Sequence, residues 1–510
     1  MNRREFSKGL GLSAGLGLAS TAINAADPKE IGGSDWAAAF DAAMQEQPWL
    51  LAYRSVDQSA FNAQAKLVGK WPSELRGTLY RNGPARHEVH GFRYQHWFDG
   101  DGMMQAYRIG PDSVTHQARL VATHKVIAED QAGRALYPGF ASIPPNPAPV
   151  TSPDVINVAN ISVLPHHNKL MALWEAGSPW EIDPDTLETK GIYAFSEHTK
   201  GVPFSAHPRV EADGTLWNFG YLSSAGMLVF WHISPTGKLV KVGKIDVDPI
   251  TMVHDFVVTQ NHIVLLIPPL DYQIPTRAMS FLDAHTWRPD NPTRVLVVDK
   301  NDFSNHFFVE LPAQWVFHFG NGWEDKNGVI RFDAARADDP MAMISSFREI
   351  MRGNIVPSSP SHHHQYRIDT KRRTISEIPL FHTRLDTEFP CVDPRVSCRK
   401  NSKITFLASH ADQPAPHGLL NEVSSFDFES GQRDHFRYPD HIIPEEHLFI
   451  PAPDSAVETQ GWVLGSGLDW KAKVQKLFVF DAQHLQDGPL AEAHLPYSLP
   501  LGLHGKFQAA

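Results

Sequence analysis

The chain has 510 residues, with 46 Lys and Arg against 57 Asp and Glu and a net charge of −11. At 42 % apolar and 10 % aromatic residues it is globular rather than disordered, and its negative balance argues against a nucleic-acid binder, whose affinity rests on Lys and Arg at phosphates. Two cysteines, Cys391 and Cys398, leave no disulfide framework, whereas 27 histidines ask for an explanation.

Residues 1–26 read as an address. Arg3 and Arg4 are paired, Phe6 and Lys8 follow, and a weakly apolar Gly/Leu/Ala run ends at Ala25 and Ala26. This is the layout of a twin-arginine signal peptide, and the run is short for a transmembrane helix. The expectation is a folded protein exported to a bacterial periplasm, its mature chain starting near Asp27. That route suits a metal enzyme, because the metal is selected inside the cell. Cys391 and Cys398 could pair there, or serve as small buried residues.

Residues 27–66 have helical colour (WAAAFDAAMQEQPWLL) and are expected to form an N-terminal cap, with the main domain over 67–510. From Leu67 onward short apolar alternations dominate. They include 77–81 (GTLYR), 214–221 (GTLWNFGY), 262–267 (HIVLLI), 328–332 (GVIRF), 403–407 (KITFL) and 461–465 (GWVLG). Pairs such as Asp213–Gly214 and Asn327–Gly328 supply the positive φ that tight hairpins require. Many short strands without long helical segments predict an all-β propeller, which closes radially and hides its edges. No internal period gives the number of blades. The Pro-containing insertions 137–153 and 268–293 have the length of loops that serve a site.

Most of the histidines are expected to be structural. The run His362–His364 continues into Gln365-Tyr366-Arg367, a strand whose side chains alternate, so the three cannot converge on one ion. His166 and His167 sit at a turn. The segment His96-Trp97-Phe98-Asp99-Gly100-Asp101-Gly102-Met103 reads as a tight turn whose carboxylates bond backbone amides, without the later acidic ligands of a calcium loop. His207, His254, His318 and His504 differ. Each stands at the end of a β-like run beside small or turn residues, and the first three are roughly one blade length apart. One histidine per blade near the axis would place four neutral imidazoles on a divalent transition metal; four satisfied histidines at blade tops fit the same spacing.

The sequence resembles the carotenoid cleavage oxygenase family over nearly all of the chain after residue 26. The resemblance rests on Arg81-Asn82-Gly83-Pro84, the segment His96–Met103, Ala206-His207-Pro208-Arg209, Val253-His254-Asp255-Phe256, Phe317-His318-Phe319-Gly320-Asn321, Glu388-Phe389-Pro390 with Asp393-Pro394-Arg395, and Gly502-Leu503-His504-Gly505. It implies a seven-bladed β-propeller with a helical cap over one axial Fe(2+) per chain, held by His207, His254, His318 and His504. It further implies three glutamates behind the ligands, Glu175 on His254, Glu388 on His318 and Glu458 on His504, with His207 left without one. A carboxylate accepting the far ring N–H would fix each ring's tautomer and angle.

The activity implied is oxidative cleavage of a conjugated carbon–carbon double bond by O2, giving two carbonyl products. The family divides mainly between carotenoid and stilbene substrates. Stilbene cleavers typically carry a Lys just before the first of the three glutamates; Trp174 stands there, and an aromatic wall favours a carotenoid or apocarotenoid. Met279, Phe281 and Leu282 fit either a membrane-dipping entrance for a lipophilic substrate or ordinary cap packing. A non-catalytic binding propeller is the competing class, and it predicts missing ligands.

Overall fold

The computed structural model describes residues 32–276, 278–381 and 385–510; the expected signal peptide lies outside them. Seven antiparallel sheets of four to six strands are arranged as the blades of a propeller. Their inner strands are Ser162–His166, Arg209–Val210, Val257–Val258, Trp315–Glu324, Leu385–Cys391, Ile442–Pro451 and His504–Ala509. Five of the seven neighbouring pairs of inner strands are in direct contact. The hairpins expected from the sequence are present: Gly214 and Gly328 take φ of 89° and 78°, and strands follow at Leu216–Leu222 and Val329–Ala337.

The ring is closed twice. The last strand, His504–Ala509, pairs with Gly77–Asn82 in register Asn82↔His504 to Gly77↔Ala509. The early strand Lys66–Gly69 pairs with Ala491–His494 in the last blade. Both pairings bury strand edges that would otherwise invite association with another chain. They also move a boundary. Ala60–Gln64 is the outer strand of the first blade, paired with Val114–Leu120, so the propeller begins within the segment expected to be cap. The cause is alternation in AFNAQ and KLVG too short to read as strands without their partners.

Side chains between blades form the core. Val257, Val264 and Val297 of one blade pack against Phe319, Phe332 and Tyr366 of the next. Close approach is needed there: a Cβ on Gly322 would lie 2.1 Å from Val257 Cγ1. The cap comprises the helix Ser34–Glu46, the turn Pro48–Tyr53 and the helical run over 342–352. Arg93 pins it. Its guanidinium lies 3.5 Å over the Phe40 ring and donates to Met351 O and Tyr53 O.

The two carboxylates of the His96–Met103 segment are structural, but their partners lie outside the turn and not within it. Asp99 accepts from Phe140 N, Ala141 N and Ser142 Oγ, and Asp101 pairs with Arg86 and with the buried Lys125. His362, His363 and His364 go to Leu385 O, Asp333 and Glu377, three separate partners. Cys391 and Cys398 are both free thiols. No helix among the described residues is long and apolar enough to cross a membrane.

Candidate metal centre

His207 and His254 lie just before inner strands, His318 within one and His504 at the start of another. The ring closure therefore carries all four to the axis. One ring nitrogen from each falls within 4.8 Å of the others. His207 Nε2 and His254 Nε2 are 3.0 Å apart. Two adjacent ligands each ~2.1 Å from a common ion are separated by that amount at a right angle. His318 Nε2 is buried with no hydrogen-bond partner. An orphaned ring nitrogen facing three others is a donor set that fits a divalent transition metal.

Three carboxylates orient the rings from behind. His254 Nδ1 meets Glu175 Oε2 at 2.8 Å, His318 Nδ1 meets Glu388 Oε2 at 2.6 Å, and His504 Nδ1 meets Glu446 Oε1 at 2.8 Å. With the proton held on Nδ1, each Nε2 lone pair is left for the metal. Each carboxylate is itself held. Tyr221 donates its hydroxyl to Glu175, Phe389 N–H donates to Glu388, and Gly505 N–H donates to Glu446 at 2.6 Å. His207 pairs with no carboxylate among the described residues; its backbone N–H donates to Ser205 Oγ.

The third carboxylate corrects the sequence reading. Glu458 does not reach His504. It lies in the turn after the inner strand Ile442–Pro451 and accepts from Ser402 N, Ser402 Oγ and Lys403 N. Glu446 takes its place because it sits within that strand, at the level of the axis. A glutamate inside an apolar strand run (IIPEEHLFIP), as Glu388 is inside LDTEFP, is the signal that would have found it.

Two residues of the quoted motifs prove to be braces. Arg209 donates to both oxygens of Asp255 and to Phe256 O, and Asp255 Oδ2 accepts from Phe319 N at 2.9 Å. These contacts tie together the chain segments that carry His207, His254 and His318. Phe389 adopts φ of 56°, costly for a residue with a Cβ, and its ring stacks on His318 with centroids 5.3 Å apart. The residue lies at an irregularity of the strand Leu385–Cys391, which sets its ring against both His318 and His504.

The electrostatics follow from burial and pairing. Burial pushes the His207 ring well below the ordinary imidazole range, with the other three rings adding to it. Burial also holds His504 down to about 4 despite Glu446. Both rings are therefore neutral and ready to ligate at neutral pH. Burial disfavours charge on His318 too, but Glu388 outweighs it and raises that ring. Burial likewise opposes charge on Glu446, yet His504, Arg81 and Lys506 prevail and hold it down to about 2.

A carboxyl depressed below its ordinary 4.5 stabilises the fold above that pH and loses the contribution as pH falls toward 2. The stability gap between the metal-free protein and its Glu446→Gln variant, read from urea midpoints, is expected to be full at pH 7 and to close below pH 4.5. A gap that widens on acidification would contradict the pairing.

Above the four nitrogens lies a cavity of about 470 Å³. Its walls are mostly apolar and aromatic, with Tyr53, Trp97, Phe98, Phe317 and Phe347 from the cap and blade tops, and its floor includes His254, His318 and His504. That size falls in the range of small-molecule sites. Residues 354–361 and 417–420 form its rim. The expected channel residues are elsewhere. Trp174 is half-buried beside Gly177 in an apolar cluster, and Phe281 packs on Phe140 and His285. Met279 is partly exposed in the 268–293 insertion. Phe281 is taken up by packing, because the insertion, which contains the hairpin Leu270–Tyr272 with His285–Trp287, folds onto Phe140; Trp174 packs in a separate apolar cluster.

Four inward imidazoles, three of them backed by carboxylates, under an apolar cavity on a propeller axis define a class: propeller enzymes with an all-histidine metal centre. Within it, the chain belongs to the carotenoid cleavage oxygenase family. The family described as retinal pigment epithelial membrane protein, RPE65, matches residues 53–509. The chain is similar to the apocarotenoid-15,15'-oxygenase of Synechocystis, at 29 % identity covering 90 % of this chain and 96 % of that protein. It is also similar to resveratrol cleavage oxygenase 1 of Aspergillus fumigatus, at 26 % identity covering 87 % of this chain and 92 % of the relative. Among solved structures, the cobalt-substituted Synechocystis apocarotenoid oxygenase superposes with a TM-score of 0.82 at 26 % identity, covering 91 % of this chain and 99 % of that one.

Proposed function

We propose that this protein cleaves a conjugated carbon–carbon double bond of a carotenoid or apocarotenoid with O2, giving two carbonyl products, with one iron(II) per chain. The observation that carries the reading is the convergence of four ring nitrogens within 4.8 Å, three of whose histidines line the floor of a mostly apolar cavity. No Lys or Arg lines that cavity among the described residues. Such a wall suits an uncharged polyene better than a phenolate, because an unpaired charge there is costly.

His207, His254, His318 and His504 would hold the iron. When bound, it supplies the activation of O2 for reaction with the alkene. The protein's own contribution is positional. Glu175, Glu388 and Glu446 keep the Nδ1 protons and fix the ring planes, and their charge offsets that of a 2+ ion. The cavity walls hold the alkene over the floor and exclude water.

The test is metal analysis of the purified protein followed by incubation, with and without O2, with an apocarotenal and with a hydroxystilbene. One iron per chain and O2-dependent aldehydes from the apocarotenal are expected. Aldehydes from the hydroxystilbene alone would reassign the substrate. Stoichiometric calcium without iron would overturn the enzyme reading.

The twin-arginine layout of residues 1–26 supports export to the periplasm. Replacing Arg3 and Arg4 together by Lys should leave the protein in the cytoplasmic fraction, and unchanged fractionation would refute that route.

A further inference from the structure

Asp386 stands out on the cavity wall. It lies on the inner strand Leu385–Cys391, two residues before Glu388 and on the same side of the strand. Alternate residues of a strand are about 7 Å apart, so the carboxyl sits one such step along the strand from the glutamate behind His318. Ser361 touches both. Its backbone N–H donates to Asp386 Oδ1 at 2.8 Å and its hydroxyl to Glu388 Oε1 at 3.5 Å. No Lys, Arg or His among the described residues forms an ion pair with Asp386, and no described side chain donates to it. Burial, with Glu388 adding to it, pushes this carboxyl up to about 6. One oxygen of this carboxyl on the cavity wall takes no hydrogen bond among the described residues, which leaves it free to accept one from a ligand.

Resting on the oxygenase reading above, we infer that Asp386 is a specificity-determining residue that accepts a hydrogen bond from a free hydroxyl on the substrate. The substrate class is then a hydroxylated polyene, an alcohol on the part of the chain lying between the cavity rim and the metal floor. The chemistry discriminates by sign and by role. A carboxylate accepts from a neutral alcohol, gains nothing from an ether oxygen, and repels a phenolate or an ionised carboxylate, the more so with Glu388 nearby. The aromatic walls receive the hydrocarbon, and Asp386 sets how far along the cavity it slides, hence which double bond lies over the floor.

The test compares an apocarotenol with its methyl ether on the metal-loaded, full-length protein. Binding is measured without O2, by quenching of tryptophan fluorescence, so that it is independent of turnover. The wild type should bind the alcohol roughly tenfold more tightly than the ether, and Asp386→Leu should bring the two within twofold. Asp386→Asn keeps the shape and one acceptor oxygen, and should retain part of the preference, which serves if the leucine variant fails to fold. Equal binding of alcohol and ether by the wild type would overturn the inference. So would a preference that survives in both variants, or a variant that weakens both ligands alike. Admitting O2 then separates the two readings: a binding preference without aldehyde products would sink the oxygenase reading and leave Asp386 as a hydroxyl site.

Discussion

His254→Ala should yield a folded propeller that retains less than about a tenth of the wild-type iron and loses cleavage activity by roughly a thousandfold or more. Three features make this the largest expected effect. His254 is buried, its Nε2 stands 3.0 Å from His207 Nε2, and its Nδ1–H donates to Glu175, which also accepts from Tyr221. Removing the ring takes away a ligand and leaves the Glu175 carboxylate buried without its partner. The fold should survive, because the strands are held by the ladders and by Arg209 and Asp255 rather than by the ring. Circular dichroism and metal analysis on the same sample check both halves. Full iron content in the variant would remove His254 from the ligand set.

Glu446→Gln and Glu458→Gln should part company. The first should weaken iron retention by about ten- to a hundredfold and slow turnover, because a carboxamide cannot fix His504 as a carboxylate does. The second should leave iron content and turnover near wild type and act only on the turn at Ser402 and Lys403. Iron retained after dialysis against a chelator, together with initial rates, reads the contrast. Equal losses in the two variants, or a loss confined to Glu458→Gln, would overturn the assignment of Glu446 to His504.

The contrast between these glutamates shows where sequence reasoning stops. Glu175 and Glu388 are reached only through the family resemblance, which places each by its local motif; the residue pattern alone fits surface or ion-paired glutamates. Glu446 and Glu458 are only 12 positions apart, and both precede an apolar or turn-like run. Choosing between them requires knowing that Ile442–Pro451 is an inner strand and that Gly461–Asp469 is its hairpin partner. The inner strand passes the axis and the turn does not. The same holds for Trp174, Met279 and Phe281. Their apolar character was plain, but whether an aromatic ring faces a cavity or a neighbouring ring depends on which loop folds over it.

By itself the sequence determined the class of the protein. Alternating strands and turn residues specify local β-structure and hairpins, because those depend on near neighbours. The four histidines were singled out by their settings at strand ends, and the run His362–His364 was set aside by alternation alone. Residue patterning left the blade count open and the family resemblance supplied it; only the tertiary structure decided the double closure that brings residues 66–69 beside 491–494 and the pairing of His504 with Glu446. Those are contacts between residues far apart in the chain. They follow from how seven sheets pack around one axis, a condition on the whole ring that no local stretch of residues contains.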